Sequence, residues 1–572
     1  MRLSFVLAAL ALAVGAAPAS GKVVHERYRV PTVGGADIAV EVMRDDSVRR
    51  APVLLTYSPY NTLYETRSGS LANDAYGQRF VPRGYARAVA DVLGTRNSSG
   101  CWDYGGPRET QSGVDLVRWL ARRSWSNGRV GMIGTSYDGT TANMVASRAP
   151  AELKAIVPIA AISRWYGYAY GNGVRYFLNS EEPSDEGFDT PLAFDFGLAR
   201  TPPTDADDPR FAEVAASRAD VCEGVEHTVR GYDTSPDYDD FWVARDYRRH
   251  ASRFRAAVLV AHGWQDYNVK QEEGVALFEA LPVARGRRRE GVPLKRMWVW
   301  QAPHATPSGD AWTAELTAFL DRFLMGRPTG IERTPLVVTE GRTVDDAGSY
   351  RSTGYRGEKH WPPAGTRLER LWLRRTFDQD VPGVTLPPPS TGETGVLSRE
   401  PNVEARDNVF TWVGAPTSEE LGNRDPLNEP GHGYYSLFFG TAPLAAPVRV
   451  VGAPVLDAWV RTPGGGHLSP VLVDVAPDGT MTTIARGFLN VAYRDGLSVA
   501  RPAPSGTWVR AAVRFLPQDV TVAAGHRIGL LVQSSNTAWA LPGELGTNNI
   551  ATGPVPGAVA EGSSLVLPVA SG

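Results

Sequence analysis

The sequence predicts an α/β fold, in which helices cover a parallel sheet, followed by a second domain built from strands. Short β-rich runs alternate with helical stretches from Val30 to Val157, the pattern of a parallel sheet with helices on both faces. The alternation stops between about Ser163 and His250 and resumes at Ala257. After about Pro335, many short alternating runs are split by Pro, Gly, Asn and Asp, which predicts a β-sandwich or jelly roll.

Local patterns predict each element of the α/β part. Apolar runs at 53–57, 86–92, 130–133, 257–261 and 297–300 predict buried strands. Val114, Val117 and Leu120 recur at helical spacing and predict a helix over 112–122, and similar spacing predicts helices over 140–148, 272–281 and 310–323. The segment between about 163 and 250 is rich in aromatics, acids and prolines, and we interpret it as a helical cap inserted over the sheet.

The length of the chain indicates more than one domain, and its net charge indicates which partners are not expected. A chain of 572 residues exceeds what one hydrophobic core supports. The patterns divide it into an α/β domain over 20–160 and 253–333, a helical cap over 161–252 and a C-terminal β domain over 334–572. A formal net charge of −3 gives no electrostatic sign of nucleic-acid or anionic-membrane binding, so neither partner is expected. A homodimer is left open.

The first residues have the pattern of a secretory signal peptide. Arg2 precedes an apolar stretch, Leu3 to Val14, and Ala17-Pro18-Ala19 offers small residues at a cleavage site. The alternative, a membrane anchor, needs about 20 continuous apolar residues, and this stretch is shorter. We therefore predict a signal peptide over 1–19 and a secreted, extracytoplasmic mature protein.

The two cysteines, Cys101 and Cys222, would be exported into a compartment where a disulfide can persist. The sequence does not decide whether they pair, because pairing depends on the distance between their Cα atoms. Two cysteines are too few for a structural zinc site of the common type, and His-Glu-x-x-His is absent from the sequence. We expect neither a metal nor a cofactor.

The strongest chemical signal is Gly134-Thr135-Ser136-Tyr137-Asp138-Gly139, between a predicted strand and a predicted helix. It differs by one residue from Gly-x-Ser-x-Gly, the nucleophile elbow of the α/β-hydrolase fold. The turn is tight, so its neighbours must be small for the serine hydroxyl to stand above the sheet edge. The alternative is a Gly/Ser-rich turn without chemistry. We predict an α/β-hydrolase fold with Ser136 as nucleophile.

A serine nucleophile needs a base and an acid, which follow it in that fold in the order serine, acid, histidine. Asp266 comes a short loop after the strand at 257–261, and His304 follows the strand at 297–300. We predict that Asp266 orients His304, the general base, although an exposed loop aspartate is the commoner alternative. His262 lies within a strand end and is interpreted as structural. For the oxyanion hole we predict the backbone N–H of Tyr137 and the hydroxyl of Tyr60.

These residues resemble the Xaa-Pro dipeptidyl-peptidase family of serine peptidases and its cocaine-esterase and α-amino-acid ester hydrolase relatives. The landmarks are Ser58-Pro59-Tyr60, Trp125-Ser126-Asn127-Gly128, the elbow, and Gly525-His526-Arg527-Ile528. The resemblance runs from about Val30 to the C-terminus, and implies a hydrolase domain, a helical cap and a C-terminal jelly roll. It also implies that Tyr60 is an oxyanion donor.

Two further segments resemble the peptidase branch: 158–166, after the elbow, and the acid loop 263–270. The resemblance implies a proline pocket formed by Trp165, Tyr168 and Val269, with Asn268 beside it. Flat aromatic walls suit a rigid pyrrolidine ring. The alternative is that these aromatics simply pack the cap.

A dipeptidyl-peptidase must also bind the free amine of its substrate, and an acidic cluster in the cap is suited to this. Its members are Glu181, Glu182, Asp185 and Glu186. Such a cluster is more often a solvated loop. The sequence therefore predicts a secreted serine peptidase that releases N-terminal Xaa-Pro dipeptides from small peptides. The alternatives are an esterase or acylase of the cocaine-esterase or α-amino-acid ester hydrolase type, and a non-catalytic carbohydrate-binding protein.

Overall fold

A computed structural model describes most of the chain. The described residues are 21–60, 71–176, 209–221, 235–282, 294–375, 394–403, 408–414, 436–462, 466–536, 539–540 and 546–570. The predicted signal peptide, the acidic cluster at 181–186 and Cys222 lie outside them, so these predictions stay as they are.

Eight strands form the sheet of the α/β domain: β1 Val23–Pro31, β2 Asp37–Asp45, β3 Ala51–Ser58, β4 Ala86–Asp91, β5 Ser126–Thr135, β6 Leu153–Ile159, β7 Ala257–Gly263 and β8 Lys295–Trp300. They pair in the order β1-β2-β4-β3-β5-β6-β7-β8. Strand β2 is antiparallel to both of its neighbours, β1 and β4, and the pairings from β4 through to β8 are parallel. The carboxyl ends of β5, β7 and β8 therefore meet at one sheet edge. The parallel sheet was predicted, whereas the antiparallel pair at its start was not.

The helices are α1 Ala75–Phe80, α2 Pro107–Ala121, α3 Tyr137–Ser147, α4 Trp165–Ala169, α5 Phe211–Val221, α6 Asp240–Val243, α7 Glu272–Ala280 and α8 Asp310–Leu320. The apolar side chains of α2, α3 and α7 pack on one face of the sheet, and those of α1 and α8 on the other. Successive strand residues serve both cores: Val53 and Leu55 join the first, and Leu54 joins the second. This arrangement confirms the predicted α/β-hydrolase fold.

Two helix boundaries differ from the predictions. Helix α3 begins at Tyr137, immediately after the elbow, rather than near residue 140. Helix α2 begins at Pro107, because proline suits a first helical position, where no N–H is required. In the cap, the described part comprises α4, a short hairpin that pairs Tyr170–Gly171 with Val174–Arg175, α5 and α6.

The C-terminal domain consists of strands: β9 Val337–Val344, β10 Tyr350–Glu358, β11 Arg367–Arg375, β12 Thr394–Ser398, β13 Val409–Gly414, β14 Ser436–Gly440, β15 Val448–Gly452, β16 Val455–Arg461, β17 Val471–Val475, β18 Met481–Arg486, β19 Val509–Arg514, β20 Gln518–Val522, β21 Arg527–Gln533, β22 Gly546–Ala551 and β23 Ser564–Ala570. A short pair joins His467–Leu468 to Leu489–Asn490. Leu456, Ala458 and Val460 point into a core enclosed by several of these strands, which confirms the predicted β-sandwich. Its jelly-roll topology stays a prediction.

The two domains share a continuous sheet, because β9 pairs with β8 of the α/β domain and with β20 of the sandwich. The acid loop after β7 therefore lies close to the sandwich. Of the helices in the described ranges, none combines the length and the apolar character needed to cross a membrane.

Candidate active site

Ser136 occupies a strained turn between β5 and α3. Its φ of 62° and ψ of −127° lie in a region that L-residues rarely adopt, at a cost of about 1–3 kcal/mol. The flanking glycines explain how the turn fits. A Cβ on Gly134 would lie 2.3 Å from the Cβ of Asp138, and one on Gly139 would lie 2.7 Å from the carbonyl oxygen of Gly134. The shifted second glycine of the motif is therefore a steric requirement of this elbow.

Asp266 and His304 are brought together at the same sheet edge. The Asp266 Oδ2 atom lies 2.8 Å from His304 Nδ1. Asp266 is fully buried, whereas the His304 side chain is 15% exposed. Burial alone would raise the pKa of Asp266, but hydrogen bonds from His262 and His304 outweigh it and lower that pKa below the ordinary value. The carboxylate is thus ionised at neutral pH and can orient the imidazole.

Ser136 itself makes no hydrogen bond with His304 within the described structure. Its hydroxyl lies 3.4 Å from that of Tyr60. The two loops are nevertheless in contact, because the hydroxyls of Thr135 and Thr306 lie 2.6 Å apart. Since Asp266 occupies Nδ1 of His304, the opposite nitrogen, Nε2, is left for the serine. Hydrogen bonds of this kind are often long in an empty site and shorten when substrate binds.

Both predicted oxyanion donors lie close to Ser136, since Tyr137 is the next residue and the Tyr60 hydroxyl is 3.4 Å from the Ser136 hydroxyl. Tyr60 packs edge-to-face on Tyr137, with 6.2 Å between ring centres. Tyr137 is the first residue of α3, where helix geometry provides no acceptor for the N–H. Its hydroxyl contacts both oxygens of the buried carboxyl group of Glu109, at 2.9 and 3.0 Å, and accepts from the indole N–H of Trp102 at 2.8 Å. These contacts hold the Tyr137 ring at its hydroxyl end.

The four residues predicted for the proline pocket lie next to residues predicted for catalysis or next to one another. Trp165 is fully buried, and its ring centre lies 5.4 Å from that of Tyr137 and 5.8 Å from that of Tyr168. Asn268 and Val269 follow Asp266 in the acid loop, and both of their N–H groups donate to Asp266 Oδ1 at 3.0 Å. Asn268 Oδ1 is buried and has no hydrogen-bond partner among the described residues.

Three contacts at this site were not predicted from the sequence. His262, interpreted only as a structural residue, has its Nε2 3.3 Å from Asp266 Oδ2. Glu109 anchors Tyr137, as described above. Gln518 of the sandwich donates to the carbonyl of Trp264 at 2.9 Å and so braces the acid loop. The spacing of four residues put His262 near Asp266 in the chain without indicating the contact, and the other two contacts had no signal in the sequence.

The predicted acidic cluster at 181–186 falls outside the described residues, and so does Cys222. Cys101 itself is buried, 2% exposed. The amine-binding role therefore stays a prediction, and the pairing of Cys101 with Cys222 stays the open alternative that the sequence left.

Comparisons with known families match both halves of the chain. The family model described as X-Pro dipeptidyl-peptidase (S15 family) matches residues 34–306. The model described as X-Pro dipeptidyl-peptidase C-terminal non-catalytic domain matches residues 329–549. The first match contains the elbow, the cap, the acid loop and His304, and the second contains most of the sandwich.

Individual relatives agree with these matches. The chain is 30% identical over 476 residues to a candidate Xaa-Pro dipeptidyl-peptidase of Streptomyces avermitilis, which covers 77% of the chain but 62% of that relative. It is 25% identical over 552 residues to the cocaine esterase of a Rhodococcus species, which covers 90% of the chain and 91% of the esterase. A CocE/NonD family hydrolase from Staphylococcus aureus superposes with a TM-score of 0.73, covering 96% of this chain and 94% of the other. At 16% identity, this last likeness shows the fold alone.

Proposed function

The chain belongs to the S15 family of X-Pro dipeptidyl-peptidases, and from this premise we propose that it is an exported serine hydrolase that releases Xaa-Pro dipeptides from peptide N-termini. The observation that carries the proposal is the bond of 2.8 Å between Asp266 and His304, at the sheet edge where Ser136 is held in a strained turn. The family match adds the substrate class.

The proposed reaction begins when His304 Nε2 takes the proton of Ser136, whose oxygen attacks the carbonyl carbon of the second substrate residue. The Tyr60 hydroxyl and the Tyr137 N–H donate to the oxyanion of the tetrahedral intermediate. His304 then protonates the leaving amine, and the C–N bond breaks to leave a dipeptidyl ester on Ser136. Water, deprotonated by His304, hydrolyses that ester and releases the dipeptide.

Substrate choice would rest on the wall and the loop beside the nucleophile. The rings of Trp165 and Tyr168, which pack edge-to-face with 5.8 Å between their centres, are our candidates for the flat apolar wall that would contact proline. The Oδ1 atom of Asn268 is buried and has no hydrogen-bond partner among the described residues, and it is an acceptor suited to an N–H or ammonium group of the substrate. The acidic cluster at 181–186 is our further candidate for holding the free amine.

The direct test is product analysis on a peptide that begins Ala-Pro, with its N-acetylated form as a matched control. We expect release of intact Ala-Pro, no free alanine, and little cleavage of the acetylated peptide. Asn268→Ala should raise KM for the free peptide much more than for a simple acyl ester. Absence of the dipeptide, or equal cleavage of both peptides, would refute the dipeptidyl-peptidase proposal.

One observation favours a second candidate, an esterase or acylase. The cocaine esterase is matched over 91% of its length, whereas the first peptidase relative is matched over 62%. Both activities would use the same serine, acid and base. Comparing kcat/KM for Ala-Pro anilide with that for simple acyl esters separates them, and a strong preference for esters would establish the second candidate.

A further inference from the structure

His262 lies one residue before the end of β7, and its imidazole is in contact with the acid of the proposed triad. The side chain is fully buried. Its Nε2 atom lies 2.8 Å from the carbonyl oxygen of Val269 and 3.3 Å from Asp266 Oδ2. One ring nitrogen therefore faces two oxygen acceptors at once, one in the triad and one in the predicted pocket.

The contacts determine which nitrogen carries the hydrogen. A carbonyl oxygen only accepts, so Nε2 must be the donor. The other nitrogen, Nδ1, is buried and has no hydrogen-bond partner within the described residues. A hydrogen on Nδ1 would be a buried donor without an acceptor, which is costly. The contacts therefore place an N–H at Nε2, directed at Val269 and Asp266.

This N–H completes the set of donors around Asp266. Oδ1 accepts from the N–H groups of Asn268 and Val269, and Oδ2 accepts from His304. Val269 is held from both sides, since its N–H binds the carboxylate and its carbonyl binds His262. The acid and the pocket wall thus form one hydrogen-bonded unit.

The ring of His262 is held in place by α7. A Cβ on Gly274 would lie 2.6 Å from His262 Nδ1, so any larger residue there would push the ring or the helix away. The glycine lets the backbone of α7 pack directly against the imidazole. The position of the ring is therefore set by the scaffold rather than by the loop that it contacts.

We propose that His262 is a positioning residue of the catalytic site, which holds Asp266 and the pocket backbone at Val269 in register with each other. It acts through Asp266 and does not touch the substrate. The inference rests on the Ser136, His304 and Asp266 assignment in the proposed function, and is independent of whether the substrates are Xaa-Pro peptides or esters.

The test compares three variants of the full chain. His262→Gln can place an amide N–H near the position of Nε2, His262→Asn carries the same group but falls short of it, and His262→Met has similar length and no donor. We measure kcat and KM for Ala-Pro anilide and for a simple acyl ester, the rate of inactivation by a fluorophosphonate, and Tm. The expected result is a loss of kcat on the order of 10- to 100-fold in the Met variant, on whichever substrate the parent turns over.

The rescue pattern separates positioning from a merely structural role. The Gln variant should recover most of the parental kcat, and the Asn variant should not, although their Tm values are similar. The Gln and Asn pair decides the question if the Met variant does not fold. Equal kcat in the Gln and Asn variants, or a folded Met variant within threefold of the parent, would overturn the inference. A parent that resists the fluorophosphonate would instead refute the proposed triad.

Discussion

Replacing Tyr60 with Phe removes one hydroxyl and leaves the ring in place, which makes it a clean test of the oxyanion assignment. The hydroxyl lies 3.4 Å from the Ser136 oxygen. Loss of one such donor typically costs about 2.7–4 kcal/mol of transition-state stabilisation, or about 10²–10³ in kcat. Phe retains the edge-to-face contact with Tyr137, so the free energy of unfolding should change by less than about 1 kcal/mol.

Tyr137→Phe is the matched control, because the two rings are neighbours and only one hydroxyl is assigned to catalysis. The Phe variant keeps the backbone N–H but leaves Glu109 and the Trp102 indole without the hydroxyl that both contact. We expect a loss of about 1–3 kcal/mol in stability and less than a tenfold loss in kcat.

The assay is kcat and KM on Ala-Pro anilide, together with thermal unfolding, for both variants. Tyr60→Phe should lower kcat with an unchanged Tm, and Tyr137→Phe should lower Tm with a largely retained kcat. The reasoning is wrong if Tyr60→Phe stays within threefold of the parental kcat, or if Tyr137→Phe loses more kcat than Tyr60→Phe.

Three further substitutions test other parts of the account. Burial raises the pKa of Glu109 from 4.5 to about 8. The folded state therefore keeps a proton that the unfolded chain loses between these two pH values. The free energy of unfolding should fall as pH rises through that interval, by up to about 5 kcal/mol. Glu109→Gln should flatten this dependence in Tm measured against pH, and an unchanged slope would contradict the assignment. Gln518→Leu removes the donor to the Trp264 carbonyl. It should lower kcat, and it should lower Tm through a loss of about 1 kcal/mol in the free energy of unfolding. Unaltered kinetics would show that the sandwich does not hold the acid loop in place. Trp165→Leu should lower kcat/KM at least about tenfold for Ala-Pro anilide and much less for an acetyl ester, and equal losses would remove Trp165 from the proline pocket.

The sequence predicted well the parts of the site that follow from a short motif and from the order of the strands. Gly134 and Gly139 around Ser136 indicated a tight turn, and the turn is present with the steric contacts that demand both glycines. Asp266 and His304 each follow a strand of one parallel sheet in the sequence pattern, and in the structure these adjacent parallel strands bring their carboxyl ends together. The order of the strands and the positions of the loops that follow them were enough to predict that Asp266 and His304 lie together.

The remaining contacts join residues that no local pattern relates. Glu109 and Tyr137 are 28 residues apart, and an acid in the first turn of a helix is usually a solvated cap. Gln518 and Trp264 are 254 residues apart, in different domains. Such pairs depend on how the sheet and the sandwich pack, which spacing does not encode.

His262 illustrates the same difficulty at short range. It is four residues from Asp266, but whether its ring reaches the carboxylate depends on the turn between them. The missed antiparallel pair β1–β2 has a similar cause, because β1 is largely solvent-facing and lacks the apolar run that indicates a buried strand.

The central claim is that Ser136 is a nucleophile activated by His304 and Asp266, and peptide mapping after fluorophosphonate treatment tests it most directly. We predict one adduct, within the tryptic fragment 130–148 that contains Ser136, lost in Ser136→Ala and formed far more slowly in His304→Ala. An adduct on another residue, or labelling that is undiminished without His304, would contradict the account.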